Sequence, residues 1–218
     1  MSRQATTGTD IYTEPANVDP YTLRNLGPLA RMAGVWEGAG LDDHPVREGG
    51  EEQPFVERME LQPVDPQLNG PQLFYGLRYH LHVTRPGRTR TFHDQVGYWL
   101  WEPATRTVYQ TLAIPRGQAL MASGRAEPDA RQFTVRAKAG DPCSGILSNP
   151  FLAEAFTTTE FAITVTFNDD GTFGYEEDTV LRIRGRPEPF HHTDRNTLRR
   201  IAEPTVNPAA LAPDEPDD

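Results

Sequence analysis

Two stretches of this chain alternate apolar and polar residues for longer than any loop or helix would. From Arg131 to Ala139, Phe133, Val135 and Ala137 fall on one side and Gln132, Thr134, Arg136 and Lys138 on the other. From Thr159 to Asn168, Phe161, Ile163, Val165 and Phe167 alternate with Glu160, Thr164 and Thr166. Side chains of a strand point alternately to its two faces, so a period of two marks a strand with one buried and one wet face. Asn168-Asp-Asp-Gly171 then turns the chain into a third such segment, Thr172 to Arg184.

Further strands are predicted at Val35 to Leu41, Phe55 to Gln62, Gln72 to Thr84, Thr91 to Trp101, Thr107 to Ile114, Gln118 to Gly124 and Phe190 to Ile201, which makes about ten. Turn signals separate them at Asn69-Gly-Pro, Arg85-Pro-Gly and Glu102-Pro-Ala-Thr. Before them, Leu23, Leu26, Ala30 and Ala33 recur at helical spacing and Gly34 ends the run. A second short helix is predicted over Asn149 to Phe156. A short helix followed by consecutive strands predicts an all-β fold, an antiparallel up-and-down barrel, with an open sandwich as the competing architecture. Residues 21–201 form the barrel domain in this reading. Residues 1–20 and the acidic, Pro-rich residues 202–218 have no apolar period and are expected to be disordered tails. A barrel of this size fills its interior with side chains or holds one ligand.

Charge and composition exclude several partners. With 21 Lys+Arg against 31 Asp+Glu the formal charge is −10, which argues against nucleic acid, whose phosphates need clustered cations. No apolar run reaches the ~18 residues of a membrane-spanning helix, and Met1 to Tyr12 has no apolar core of a secretory signal. The single cysteine, Cys143, cannot form an internal disulfide, which fits a reducing, cytoplasmic setting.

Gly34-Val-Trp-Glu-Gly-Ala-Gly40 is a strand with glycines that let it bend and let another backbone approach, and Trp36 is a ring large enough to plug a barrel end. Together with His93-Asp-Gln-Val-Gly-Tyr98, and with Gly185-Arg-Pro, His191-His192 and Leu198-Arg-Arg-Ile201 near the end, this motif resembles the nitrobindin family of heme-binding β-barrels. Those barrels are similar in outline to fatty-acid-binding proteins and lipocalins. The matches spread from Leu26 to Ile201, and residues 63–71 and 141–157 are extra material.

The resemblance implies a heme b cofactor in the cavity and reactivity toward nitric oxide or peroxynitrite, of the peroxynitrite isomerase kind. It also implies a proximal histidine on the last strand. His192 is the metal-ligand candidate, His93 the residue near the open side of the iron, and Trp36 and His191 lie in the matching segments. Matched from Leu198 to Ile201 without a gap, the ligand position falls on Thr193, a poor iron ligand; a one-residue bulge restores His192.

Face parity adds to this. In an unbroken strand, Phe190, His192 and Leu198 share the inner face with Asp194 and Asn196, while His191, Thr193 and Arg195 face water. His80 and His82 are expected to face solvent. A three-residue loop at Pro86 to Arg88 pairs Leu81 with His93 and turns His93 inward, whereas a two-residue loop reverses this. Glu176, Glu177 and Asp178 read as solvated, and Cys143 and Ser144 lack a nucleophile's context. Two functions therefore remain: a heme protein, or an iron-free carrier or sensor of a small hydrophobic ligand such as a fatty acid.

Overall fold

The computed structural model describes residues 10–212. The N-terminal half of the expected first tail and the last six residues lie outside that range. A one-turn helix α1 (Thr22–Asn25) and a 3-10 turn (Gly27–Met32) lead into β1 (Gly34–Pro45), which forms a long hairpin with β2 (Gly50–Pro63). The short β3 (Gln67–Asn69) folds back on β4 (Gln72–Thr84). β5 (Thr91–Glu102), β6 (Thr107–Ile114), β7 (Gln118–Arg125) and β8 (Gln132–Lys138) continue the meander. After β9 (Ile146–Ser148) and helix α2 (Pro150–Ala155) come β10 (Phe156–Phe167), β11 (Phe173–Ile183), β12 (Phe190–Ala202) and the terminal turn α3 (Pro208–Leu211). The long strands run β2-β1-β12-β11-β10-β8-β7-β6-β5-β4, and β2 pairs with β4 to close the barrel. The closed ten-stranded antiparallel barrel matches the architecture expected from the alternation.

The inner faces carry the apolar half of each alternating strand. One end of the barrel is plugged. Trp36 packs edge-on against Phe173 with ring centroids 4.7 Å apart, and its Nε1 donates to Met32 O at 2.8 Å. Trp99, Phe133 and Phe167 continue the aromatic packing, and Leu26, with Leu29 and Met32 of the 3-10 turn that follows it, caps it. Gly38 and Gly40 are glycines because β12 comes so close. A Cβ there would lie 2.5 Å from Thr197 O and 2.4 Å from Arg195 O respectively.

Three features differ from the sequence expectation. β1 and β2 reach Pro45 and Gly50, well beyond Leu41 and Phe55, because Asp42 to His44 stay in register with Gln53 to Glu51 although they lack apolar alternation. β3 and β9 are three-residue strands, too short to show a period. β7 meets β8 only at Ser123↔Arg136, and its first half pairs instead with β9, so the segment before α2 completes the wall. α2 starts where predicted, with Asn149 Oδ1 accepting from Leu152 N at 3.1 Å.

Beyond β12 the chain docks on the plugged end. Thr205 N donates to Gln62 Oε1 at 2.8 Å, and Asn207 Nδ2 donates to both Pro20 O and Asp65 Oδ1 at 2.8 Å. Ordered contacts thus extend past the expected boundary at Ile201. Among the described residues, no helix is long and apolar enough to cross a membrane.

Candidate functional site

The end of the barrel away from Trp36 carries polar side chains on its inner face. β12 runs without a register shift from Phe190 to Leu198 against β11, so His192, Asp194 and Asn196 all point inward with Leu198. Asp42 and His44 come from β1, Glu57 from β2, and Glu177 from β11. Opposite this arc, on the far side of the strand order, β6 and β7 present Leu112, Ile114 and Leu120 to the same interior. The open end therefore has acidic groups on one arc and these apolar side chains on the facing arc, with His93 and Gln95 of β5 beside them.

Asp42 is the hub. Its side chain is only 2% exposed, and His192 Nε2 lies 2.8 Å from its Oδ1. Its other oxygen receives Arg85 Nη2 at 3.3 Å and lies 3.1 Å from His44 Nδ1. Burial alone would raise the Asp42 pKa, but the His192 hydrogen bond and the charges of His192, His44 and Arg85 hold it below its ordinary value. His192 responds in kind. Burial pulls its pKa down, yet the Asp42 bond and the charges of Asp194, Asp42 and Glu177 carry it above 6.5, favouring the imidazolium.

The remaining acids are less well matched. Glu177 lies directly across the β11–β12 ladder from Asp194, two like charges on one inner face. Desolvation, with the charge of Asp194 next, raises the Glu177 pKa; desolvation also raises that of Asp194. Glu57 has no exposed surface. Tyr175 OH and Asn196 Nδ2 donate to its Oε2 at 2.6 and 2.9 Å, yet desolvation still pushes its pKa to about 7. Its Oε1, like Asn196 Oδ1, is buried with no donor among the described residues.

His192 faces inward, and the bulge that would have moved the ligand position is absent. Thr193 lies on the outer face, paired across the ladders with Asp43 and Asp178. His191 is exposed, its Nδ1 2.8 Å from Asp178 Oδ2. His93 points inward, pairing with Val83 rather than Leu81, with its Nε2 3.2 Å from Gln95 Oε1. Burial lowers its pKa, which keeps it neutral. His80 and His82 sit on the outer face against Asp94 and Thr91, so they share no site with His93. Trp36 stands six residues along β1 from Asp42, about 20 Å at the rise of a strand, in the plug and not beside His192.

Glu177 is not the solvated residue that its sequence context suggests. The inward parity of β11, fixed by Phe173 and Tyr175, places it inside instead. Sequence reasoning missed Asp42 and Glu57 as well, although Glu57 alternates with Phe55 and Met59 and could have been found by that parity.

The family model described as "THAP4-like, heme-binding beta-barrel domain" matches residues 25–200. The chain belongs to this family. The nitrobindin-like resemblance drawn from the motifs thus holds at the level of the THAP4-like heme-binding β-barrel family. Among solved structures, the crystal structure of Rv2717c from M. tuberculosis is similar in fold, with a TM-score of 0.56 and 20% identity over 82% of this chain and 96% of that one. A β-barrel-like protein of a domain of unknown function from Brucella abortus aligns at 11% identity over 77% of this chain and 97% of its own, with a TM-score of only 0.22. No curated protein matches the chain.

A histidine that holds heme iron must offer an unprotonated ring nitrogen, set against an apolar slot for the porphyrin. Here the Nε2 of the only inward histidine on the closing strand is engaged by the Asp42 carboxylate, with Asp194 Oδ2 3.6 Å away. Both carboxylates stabilise the proton that iron would have to displace. Glu177 and Asp194 add negative charge where an apolar macrocycle would lie. This donor set does not fit axial heme ligation by His192.

Proposed function

We propose that this member of the heme-binding β-barrel family is a small-molecule-binding barrel whose open end takes an amphipathic ligand with a protonated basic head, such as an amine or amidine. The observation that carries the reading is the division of the interior. Asp42, Asp194, Glu177 and Glu57 line one wall, and Leu112, Ile114 and Leu120 line the opposite one. A cationic head would offset Glu177 and Asp194, which face each other across the β11–β12 ladder, and an alkyl or aromatic body would bury apolar surface at about 25 cal/mol per Å² before ordering costs. A fatty-acid carboxylate meets the wrong charge on this wall, which disfavours the carrier reading in its fatty-acid form.

The test is a matched pair of ligands, decylamine and decanoate, titrated calorimetrically in the presence of chelator. Decylamine should bind saturably and more tightly than decanoate, and Glu177→Gln should weaken it by about tenfold, the factor that corresponds to ~1.4 kcal/mol. Tighter binding of decanoate, or saturable binding of neither, sinks the reading.

Heme binding remains the second reading, favoured by the family match over residues 25–200. It requires the His192 ring to leave Asp42. The nitric oxide and peroxynitrite chemistry implied by the resemblance rests wholly on it. Hemin added to the parent protein and to His192→Ala separates the two readings. An imidazole-ligated Soret band in the parent that His192→Ala abolishes would establish the heme reading. Spectra that do not differ between the two proteins speak for the first.

A further inference from the structure

The outermost carboxylates of the acidic wall stand beside a histidine, and the three together form a group of metal-ligand type. Asp42, His192 and Asp194 each offer one ligand atom, and these atoms lie within 4.8 Å of one another. They come from paired positions of two adjacent strands, since Asp42 pairs with Asp194 across the β1–β12 ladder and His192 precedes Asp194 by two on the same inner face. Such a group sits on rigid backbone rather than on a loop.

We propose that Asp42, His192 and Asp194 are the protein ligands of a divalent first-row cation, with Zn2+ the ion that suits them best. An imidazole with two carboxylates is a mixed nitrogen and oxygen set of the kind zinc takes when three protein groups leave further positions to water or a ligand. The two pairs that share His192 Nε2 bracket the spacing of a tetrahedral site, in which donors about 2.0–2.2 Å from the metal stand roughly 3.3 Å from one another. His192 Nε2 to Asp194 Oδ2 is 3.6 Å, and His192 Nε2 to Asp42 Oδ1 is 2.8 Å. The second contact is short because a proton bridges it. A cation replacing that proton opens the pair by about half an ångström, a side-chain adjustment within the reach of both groups. Arg85 does not obstruct this, because it binds the other oxygen of Asp42.

Two further observations point to a cation rather than to a self-contained ion pair. Glu177 stands directly opposite Asp194 on the inner face, a like-charge pair whose neighbouring cation, His192, is already engaged by Asp42. Glu57, with no exposed surface, and Asn196, 7% exposed, each keep a buried oxygen without a donor in the same interior. Water molecules carried by a bound cation are donors, and these oxygens are acceptors that lack one.

The inference goes beyond the organic-ligand reading and is tested without any organic ligand. The full chain, stripped with chelator and exchanged into metal-free buffer at pH 7.5, is titrated with Zn2+ against a chelating dye. One saturable site per chain is expected. His192→Ala and Asp194→Asn should each weaken it at least about tenfold, while the double variant His80→Ala/His82→Ala, which removes the outer-face histidines, should leave it unchanged. Substitution with Co2+ supplies a second readout, a visible d–d band in the parent that His192→Ala abolishes. Thermal unfolding of each variant separates loss of the site from loss of the fold, and the partly exposed Asp194 gives the conservative change if His192→Ala fails to fold. No saturable uptake, or uptake that both site variants retain and the outer-histidine variant loses, overturns the proposal. Because decylamine binding is measured in chelator, failure here leaves that result standing, and the converse holds.

Discussion

Glu57 has no exposed surface and only one of its two oxygens is hydrogen-bonded, so its ionisation is charged against the fold. Its folded pKa of about 7 stands above the ordinary 4.5. The folded state therefore binds more protons than the unfolded state between these values, and stability falls as pH rises through that window. For a single fully buried group this amounts to about 3 kcal/mol, at 1.36 kcal/mol per pKa unit. Glu177, raised by burial and by Asp194, acts in the same direction. So does His192, whose raised pKa gives stability that is present at low pH and lost as pH rises through its folded value. Asp42 opposes them only at acid pH, where a depressed carboxylate loses its contribution on protonation. Urea unfolding at pH 5 and pH 8 should show the parent less stable at pH 8. Glu57→Gln, which cannot ionise, should reduce that difference by at least about 1 kcal/mol. Parallel pH profiles for the two proteins would show that Glu57 stays protonated or finds a partner across the range.

At the scale of the strand, what the sequence disclosed depended on whether an element has an apolar face. β8 and β10 were legible because Phe133, Val135 and Ala137, and Phe161 to Phe167, alternate against polar neighbours. The parity of β12 was legible for the same reason, since Phe190 and Leu198 bracket His192, Asp194 and Asn196 on one face. The rim of β1 and β2 was not. Asp42, Asp43 and His44 are polar on both faces because the barrel interior is polar there, and a strand of that kind reads as a loop. The candidate site was thus half visible, in its histidine and the partner on the same strand, and hidden where Asp42 closes it from across the ladder.

β4 and β5 test the same parity in solution. His80 and His82 lie on the outer face and His93 on the inner one. Burial also keeps His93 neutral but shields it. Modification by diethyl pyrocarbonate, followed by peptide mass spectrometry, should label His80 and His82 several-fold faster than His93. Faster or equal labelling of His93 would mean that β5 is shifted by one residue against β4, which turns every side chain of that strand to the other face.

For the whole molecule, the two ends of the barrel do different work. The end holding Trp36 is packed and clamped, and the end holding Asp42 keeps reachable polar groups, with His192 31% exposed. Asn207 joins the clamp. It is 1% exposed, donates to Pro20 O and Asp65 Oδ1, and accepts from Thr22 N at 3.2 Å, thereby tying the segment after β12 to the entry helix and to the link after β2. Asn207→Ala removes all three bonds, although Thr22 N still reaches Pro20 O at 3.1 Å and Ala209 N still reaches Asp65 Oδ1 at 2.8 Å. A cost of about 3 kcal/mol follows from three lost buried hydrogen bonds at roughly 1 kcal/mol each. For a chain of this length that is a drop in Tm of about 6–12 °C. Zinc and decylamine titrations of the same variant, run well below its Tm, should keep the parent's midpoints, because both sites are built on the opposite rim. A variant that lost Tm and binding together would show that the plugged end holds the acidic wall in place, and the barrel would then act as one unit rather than as a clamp at one end and a binding rim at the other.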